Sequence, residues 1–428
     1  MDVTVTTIAG TVHTLGPVAL TTTVREVKHK LAQVSDMSVG SQTLFHRGVK
    51  GEGNVDWRLG DSETMGQVRQ YRKNGDGGGE VGAGGGAGEV LQLYVLLGTA
   101  VDDAYKWVRD MDAGNKALSA RIGDGTAGHG DHQLNKPHGI ATVPAHPHLM
   151  VVTVFSSHQV RVYDTRGGGS GSSRLVCKMG KEDGNKGWGE GEFNAPWSVA
   201  VTEDSAFVIV SEYEGNRLQV LSLVVNVNVD GTTAELGFVQ AIGEGQLQGP
   251  RGLALRSVGG VQTVLVAEGG CGTDHRVTEW GVDDGLLVRI IGKKGSGDGE
   301  LSCPIDVAVL PAPGQIAIAD CWNHRVCIFD GESGTFVRAF GSQGKEEDGH
   351  FYYPTAIAAD SHGHVLVLDD FTDRLQVLGR DGTHLCTRND LGITVDSHKG
   401  LEWWVAGGGW RLAIANNMGN NALVFGSA

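Results

Sequence analysis

Residues 319–330 read ADCWNHRVCIFD, placing Cys321, His324, Cys327 and the acids Asp320 and Asp330 within twelve positions. Thiolate and imidazole at short spacing are what a zinc site needs, and a thiol beside an imidazole is what a cysteine nucleophile needs. The wider pattern argues against both. Cys321 and Cys327 make no CxxC, the other cysteines (Cys177, Cys271, Cys303, Cys386) are scattered, and none pairs with an HxxxH in zinc-finger order. The opening MDVTVTTIAG has neither a basic start nor an apolar run, so no export signal is expected and six lone thiols read as reduced, packed cysteines. His129, His132, His138, His146 and His148 gather in one stretch that reads as solvated loop. GxSxG, HExxH and phosphate-loop patterns do not occur in context. No catalytic residue, metal ligand or cofactor is therefore expected.

Stepping along the chain from Arg325 shows what the stretch is. EYEGNRLQVL (Glu212–Leu221), GTDHRVTEW (Gly272–Trp280) and DDFTDRLQVL (Asp369–Leu378) are relatives of it, with weaker copies at Ser156–Tyr163 and Met418–Phe425. The aligned positions are Gln159, Arg217, Arg276, Arg325, Arg374 and Asn421, spaced by 58, 59, 49, 49 and 47. Pro137, Pro196, Pro250, Pro304 and Pro354 each precede a short apolar strand between those copies, so half of the 10 prolines hold one repeat position. LVCKMG, FVQAIG, LVRIIG and FVRAFG recur as closing strands. A turn and four strands in about 50 residues is the size of a propeller blade. Six units are countable, and the last lacks a fourth strand. LSARIG, upstream of the first unit, matches the closing strands, so strand 118–122 is expected to complete the C-terminal blade and leave no open edge.

The pattern G-x-G-x-F-x-x-P-x-x-I-A-V followed by A-D-x-x-N-H-R-V-x-x-F-D resembles the NHL repeat family, whose namesake region appears as Asn323–His324–Arg325–Val326. The resemblance implies an all-β six-bladed propeller over 117–428. An acid closing strand b (Glu212, Asp320, Asp369) and an arginine opening strand c (Arg217, Arg325, Arg374) then read as structural pairs across the b–c turn. The Cys327 slot holds Arg161, Gln219, Thr278, Gln376 and Leu423 in the other units, so it reads as tolerant of any residue. The dodecapeptide is scaffold.

Residues 1–98 differ. Two strands, an amphipathic segment TTVREVKHKLAQ with Val24, Val27 and Leu31 on one helical face, then QTLFHRG and LQLYVLL, give a ββ–helix–β–β order. TIAGTVHTL, VREVKHKL and QTLFHRG resemble ubiquitin, so an α+β ubiquitin-like β-grasp is expected. A Gly-rich insertion near 74–88 reads as a loop. LQLYVLL is followed by GTAVDDAYKWV without a terminal Gly–Gly, which implies an integral docking domain, not a conjugated modifier. The family's hydrophobic patch carries over to Ile8, Phe45 and Tyr94 with His46 beside them; the plain alternative is that these are ordinary strand residues. Residues 99–116 read as a short helical connector.

Charge limits the partners. The chain has 35 Lys+Arg against 50 Asp+Glu, net −15, and residues 118–428 alone carry 36 acids against 23 bases. Nucleic-acid affinity rests on neutralised phosphates, and only Lys293, Lys294 and Arg251 hint at a basic patch. No run approaches the ~18 apolar residues of a membrane span. Propeller loops instead offer aromatics, of which Tyr213, Trp322, Phe371 and Trp188 are the candidates for a binding face. The leading expectation is a cytoplasmic, non-catalytic adaptor, with the nucleus left open. Its propeller would bind a protein or peptide while the ubiquitin-like domain docks to ubiquitin or proteasome machinery. An RNA-binding regulator and a metal-dependent propeller hydrolase or lyase are the alternatives.

Overall fold

The computed structural model describes the backbone of strands at 2–7, 12–17, 42–50, 53–58 and 90–97, and residues 118–426 except 167–172, 229–230, 271–273, 312–313, 361, 390–397 and 407–408. The chain divides into two units, Met1–Trp107 and Val108–Ala428.

In the first unit β1 (Asp2–Thr7), β2 (Val12–Pro17), β3 (Gln42–Lys50), β4 (Gly53–Arg58) and β5 (Val90–Leu97) form one sheet in the order β2-β1-β5-β3-β4. Its two central strands, β1 and β5, run parallel, and β3 pairs antiparallel with both β5 and β4. Phe45 lies opposite Tyr94 on β5 and Arg58 on β4, and His46 lies opposite Trp57. Ile8, the expected helix, the Gly-rich insertion and the connector lie outside the described residues.

The second unit is six four-stranded antiparallel sheets. Blade 4 shows the plan: strands a (Pro304–Val309), b (Ile316–Asp320), c (Arg325–Phe329) and d (Phe336–Phe340) form a simple meander. Strands b and c are buried on both faces, because each blade is sandwiched between two others. That is why IAIAD and RVCIF are almost continuously apolar and do not alternate. Strands d, at the outer edge, are less buried, and their Arg174, Arg289 and Arg338 donate to the Thr232, Gly331 and Arg380 carbonyls of the next blade. The sixth blade takes its first three strands from His398–Ala406, Gly409–Asn416 and Asn421–Gly426, and its fourth is Leu118–Ile122, paired Ile122 to Ala422 and Ala120 to Val424.

Two backbone conditions explain the recurring letters. Five a strands begin at a proline, where no ladder donor is required. The residue before strand c is left-handed in five of the six blades: His158, Asn216, Asp373 and Asn420 have φ between 50° and 52°, and His324 has 55°. Asn, Asp and His tolerate that region best among residues with a Cβ. The "N-H-R" of the dodecapeptide is thus a turn geometry followed by an ion-pair partner.

Candidate functional site on the b–c and d–a face of the propeller

In a meander the b–c turns and d–a loops emerge at one end of the ring. The repeated acids and arginines are the frame for that end. Glu212, fully buried, accepts from Arg217 Nε (2.6 Å), Gln219 Nε2 (2.8 Å) and the Asn194 N–H (2.7 Å). Asp320, also fully buried, accepts from Arg325 Nε (2.8 Å), Asn323 Nδ2 (2.8 Å) and the Ser302 N–H (2.6 Å). Asp369 takes the Tyr352 and Tyr353 N–H groups at 2.8 and 2.6 Å, with Arg374 Nη2 at 3.5 Å. Each arginine then reaches the d–a loop: Arg217 donates to the Trp188, Gly189 and Glu192 carbonyls, Arg325 to Gly297 and Glu300, Arg374 to Glu347 and His350. The pairs therefore do more than span one turn. They tie the two loop families of the face together.

The Cys327 slot, read from the sequence as indifferent, is a polar position in five of the six blades. Gln219 and Thr278 donate to the acids Glu212 and Glu268, Gln376 donates to the His350 carbonyl, and the Cys327 thiol lies 3.6 Å from Asp320. In blade 1, where Gln159 replaces the arginine, Arg161 in this slot donates to the His129, Gly130 and Gln133 carbonyls. The variety of letters hid a common task, which is supplying a donor beneath the loops. Burial pushes the Cys327 thiol up to about 12, so it is no nucleophile. His324 is turned to the Tyr352 carbonyl, away from any ligand set with Cys327.

On this frame sit the aromatics. Trp188, Trp322 and Phe371 are 60%, 58% and 52% exposed. Tyr213 is half-buried, tilted against Trp197 at 5.1 Å, with the Arg251 guanidinium 5.2 Å from its ring and 5.0 Å from that of Trp197. Phe371 lies 5.1 Å from Tyr352, and Lys345 caps both rings. Phe193 and Phe351 are fully buried between blades. Sequence reading missed Met418, exposed on the b–c turn of blade 6, and the Arg251 cradle, and it read His138 as solvated loop: His138 is buried on strand a of blade 1 and stacks on Phe155 at 4.3 Å. Met418 sits two residues after the b-strand cap Asn416, as Trp322 follows Asp320 and Phe371 follows Asp369. That offset was the available signal.

Behind the face runs the central channel, a cavity of about 250 Å³ lined by the a strands. Two carboxylates stand in it. Asp306 lines the channel and accepts from the Val307 and Ile357 N–H groups at 3.0 and 2.9 Å. Gly252 makes room for it, since a Cβ there would come within 2.0 Å of Asp306 Oδ1. Glu402 lies 3.4 Å from the Thr142 hydroxyl. Burial pushes Asp306 up to about 7, with the Glu402 charge adding to the rise, and burial pushes Glu402 up to about 7. The ordinary values are 3.8 and 4.5, so between roughly pH 4 and 7 the folded state binds more protons than the unfolded chain. Stability is thus expected to fall as pH rises through that window and to level off above it. Denaturation midpoints at pH 5, 6, 7 and 8 measure this, and Asp306→Asn should flatten the profile.

Residues 301–329, which hold Asp320, Trp322 and Arg325, match the family model of the NHL repeat. The RING finger protein nhl-1 of Caenorhabditis elegans is 47% identical over 55 residues, 13% of this chain and 5% of that protein. The match therefore spans a small part of that relative's length. Among solved structures, a protein of unknown function from Bacteroides thetaiotaomicron aligns with a TM-score of 0.50 and 16% identity over 73% of this chain and 75% of that one. A gluconolactonase from Xanthomonas campestris aligns with a TM-score of 0.47 and 13% identity, over 69% of this chain and 88% of its own. The likeness to the Bacteroides thetaiotaomicron protein, at this identity, speaks to fold alone. No helix among the described residues is long and apolar enough to cross a membrane. The second unit is a six-bladed β-propeller in which residues 301–329 carry an NHL repeat.

Proposed function

We propose that this protein is a non-catalytic adaptor whose propeller captures a protein partner on the face carrying Trp188, Trp322 and Phe371. The observation that carries the reading is that three large aromatics stand more than half exposed at one end of a ring whose loops are locked by buried ion pairs. Rigid aromatic anchors lose little entropy on binding and dominate interface energetics. The order β2-β1-β5-β3-β4 with β1 parallel to β5 supports the ubiquitin-like reading of the first unit. In that reading Phe45, Tyr94, His46 and Ile8 form its docking patch toward ubiquitin or proteasome machinery, and the chain works in the cytoplasm.

The channel favours this over a metal-dependent hydrolase or lyase. Its described lining offers two carboxylates and no imidazole, and Asp306 already accepts two backbone N–H groups. That donor set does not fit a catalytic divalent cation, which takes several convergent ligands and an open position. The RNA reading has little support in charge, for Lys293 is already bridged to Glu300 at 3.4 Å.

Immobilised full-length protein, wild type or Trp322→Ala/Phe371→Ala, tests the proposal by quantifying retained proteins from cell extract. Each anchor is expected to contribute about 2 kcal/mol, so retention by the propeller should fall tenfold or more while the melting temperature stays put. Phe45→Ala should release ubiquitin-handling proteins alone. Retention unchanged by the aromatic substitutions, or abolished by ribonuclease and by neutralising Lys293, Lys294 and Arg251, would overturn it.

A further inference from the structure

Blade 5 turns from strand a (Pro354–Ala359) to strand b (Val365–Asp369) at the end of the ring opposite the aromatic face. The turn is Asp360–Ser361–His362–Gly363–His364. Asp360 Oδ1 accepts the His362 and His364 N–H groups at 2.9 and 2.8 Å, which draws both backbone amides onto one carboxylate oxygen. The same geometry leaves the other carboxylate oxygen facing both imidazoles. His364 Nδ1 is 2.6 Å and His362 Nδ1 3.6 Å from Asp360 Oδ2, and the rings stack at 5.8 Å. Ligand atoms of the three residues all lie within 4.8 Å of one another, and among the described residues this is the one group of three that could hold a metal ion.

We infer that Asp360, His362 and His364 form a site for a divalent transition ion of the zinc class. Zinc takes nitrogen at about 2.0–2.1 Å and carboxylate oxygen at about 2.0–2.2 Å, so ligand atoms in a tetrahedral site stand roughly 3.3 Å apart. His362 is already near that separation from Asp360, and His364 has to withdraw by well under 1 Å. On binding, the ion takes the place of the hydrogen between His364 Nδ1 and Asp360: a neutral ring carries its proton on Nε2 instead, a protonated ring releases one to solvent, and both imidazoles ligate in the neutral form. Two nitrogens and one carboxylate suit zinc or cobalt better than calcium or magnesium, which take oxygen. His362 is partly exposed, so the ion has an entry path and a coordination position toward solvent.

The sequence hid the site because D-x-H-x-H looks like the turn of any blade. Its neighbours show the contrast. Blade 1 has His146 and His148 at its own a–b turn, ring centroids 6.0 Å apart, but the adjoining residues Val143, Pro144 and Ala145 provide no acid in the place of Asp360.

Chelator-stripped full-length protein titrated with zinc chloride by calorimetry, and with cobalt chloride by visible absorption, decides the matter. One equivalent should bind, zinc should raise the melting temperature, and cobalt should give the absorption of an imidazole-ligated ion. His364→Gln and His362→Asn, the latter at a partly exposed ring that folding tolerates, should each weaken binding tenfold or more and remove the zinc-dependent shift in melting. His146→Gln/His148→Gln should leave both unchanged. Absence of the one-equivalent phase, or a phase that survives both substitutions in the turn, would refute the assignment.

Discussion

Ile122→Asp is expected to destabilise the propeller by more than about 4 kcal/mol and to make it aggregate, while Arg121→Glu next door changes stability by no more than about 0.5 kcal/mol. Ile122 is fully buried with Leu134, Ala415 and Ala422, whereas Arg121 points outward. A carboxylate at 122 has no cation or donor among those neighbours, so it must either stay uncharged in an apolar site or pull the strand away. Pulling it away has a cost beyond one residue. Leu118–Ile122 is the one described strand from outside residues 398–426 that pairs into the C-terminal blade. Without it the Asn421–Gly426 strand becomes an open edge, and an open apolar edge invites pairing with other chains. Urea denaturation and light scattering of the two variants measure the difference. Equal stability of the two would mean that the seam is not what closes the ring.

That seam also shows how much of the molecule could be read in advance. The blades were legible because three separate demands recur in register: a left-handed residue before strand c, a proline that forgoes a donor at strand a, and an acid at the end of strand b. Each is local and residue-specific. The contacts that make the candidate site are not local. Arg161 performs in blade 1 the task of Arg325 in blade 4, yet it stands two positions later on its strand, so alignment by letter passes over it. Arg251 finds its aromatic partners Trp197 and Tyr213 on the preceding blade, 38 residues back in sequence for Tyr213 and 54 for Trp197. Asp306 and Glu402 meet only because the ring brings strands a of blades 4 and 6 to one channel. Exposure was equally hard to foresee: Tyr213 and Trp322 follow similar buried acids, but Tyr213 sits one residue after its acid and folds inward, while Trp322 sits two after and points out.

Asp320→Ala is expected to cost about 3–5 kcal/mol, the usual penalty for removing one member of a buried pair. The substitution leaves Arg325 Nε and the Ser302 N–H, both part-buried, without their acceptor and Asn323 Nδ2 with the Gly295 carbonyl alone. Arg325→Met should cost less. The carbonyls of Gly297 and Glu300 that it releases lie in loops reached by water, but Asp320 then keeps only uncharged donors, the Ser302 and Asn323 amides and the Cys327 thiol. The double substitution should be less harmful than the sum, by about 1–3 kcal/mol, because the charge and its desolvation leave together. Urea midpoints of the four proteins close the cycle. The consequence for binding separates frame from contact. Trp322 stands in the turn Cys321–Asn323 that Asp320 and Asn323 hold in shape, so Asp320→Ala should weaken partner capture in proportion to the loosening of that turn. Trp322→Ala should weaken capture with stability untouched. A coupling near zero, or capture that survives Asp320→Ala in a fully folded protein, would show that the ion pairs hold up the blades without organising the face.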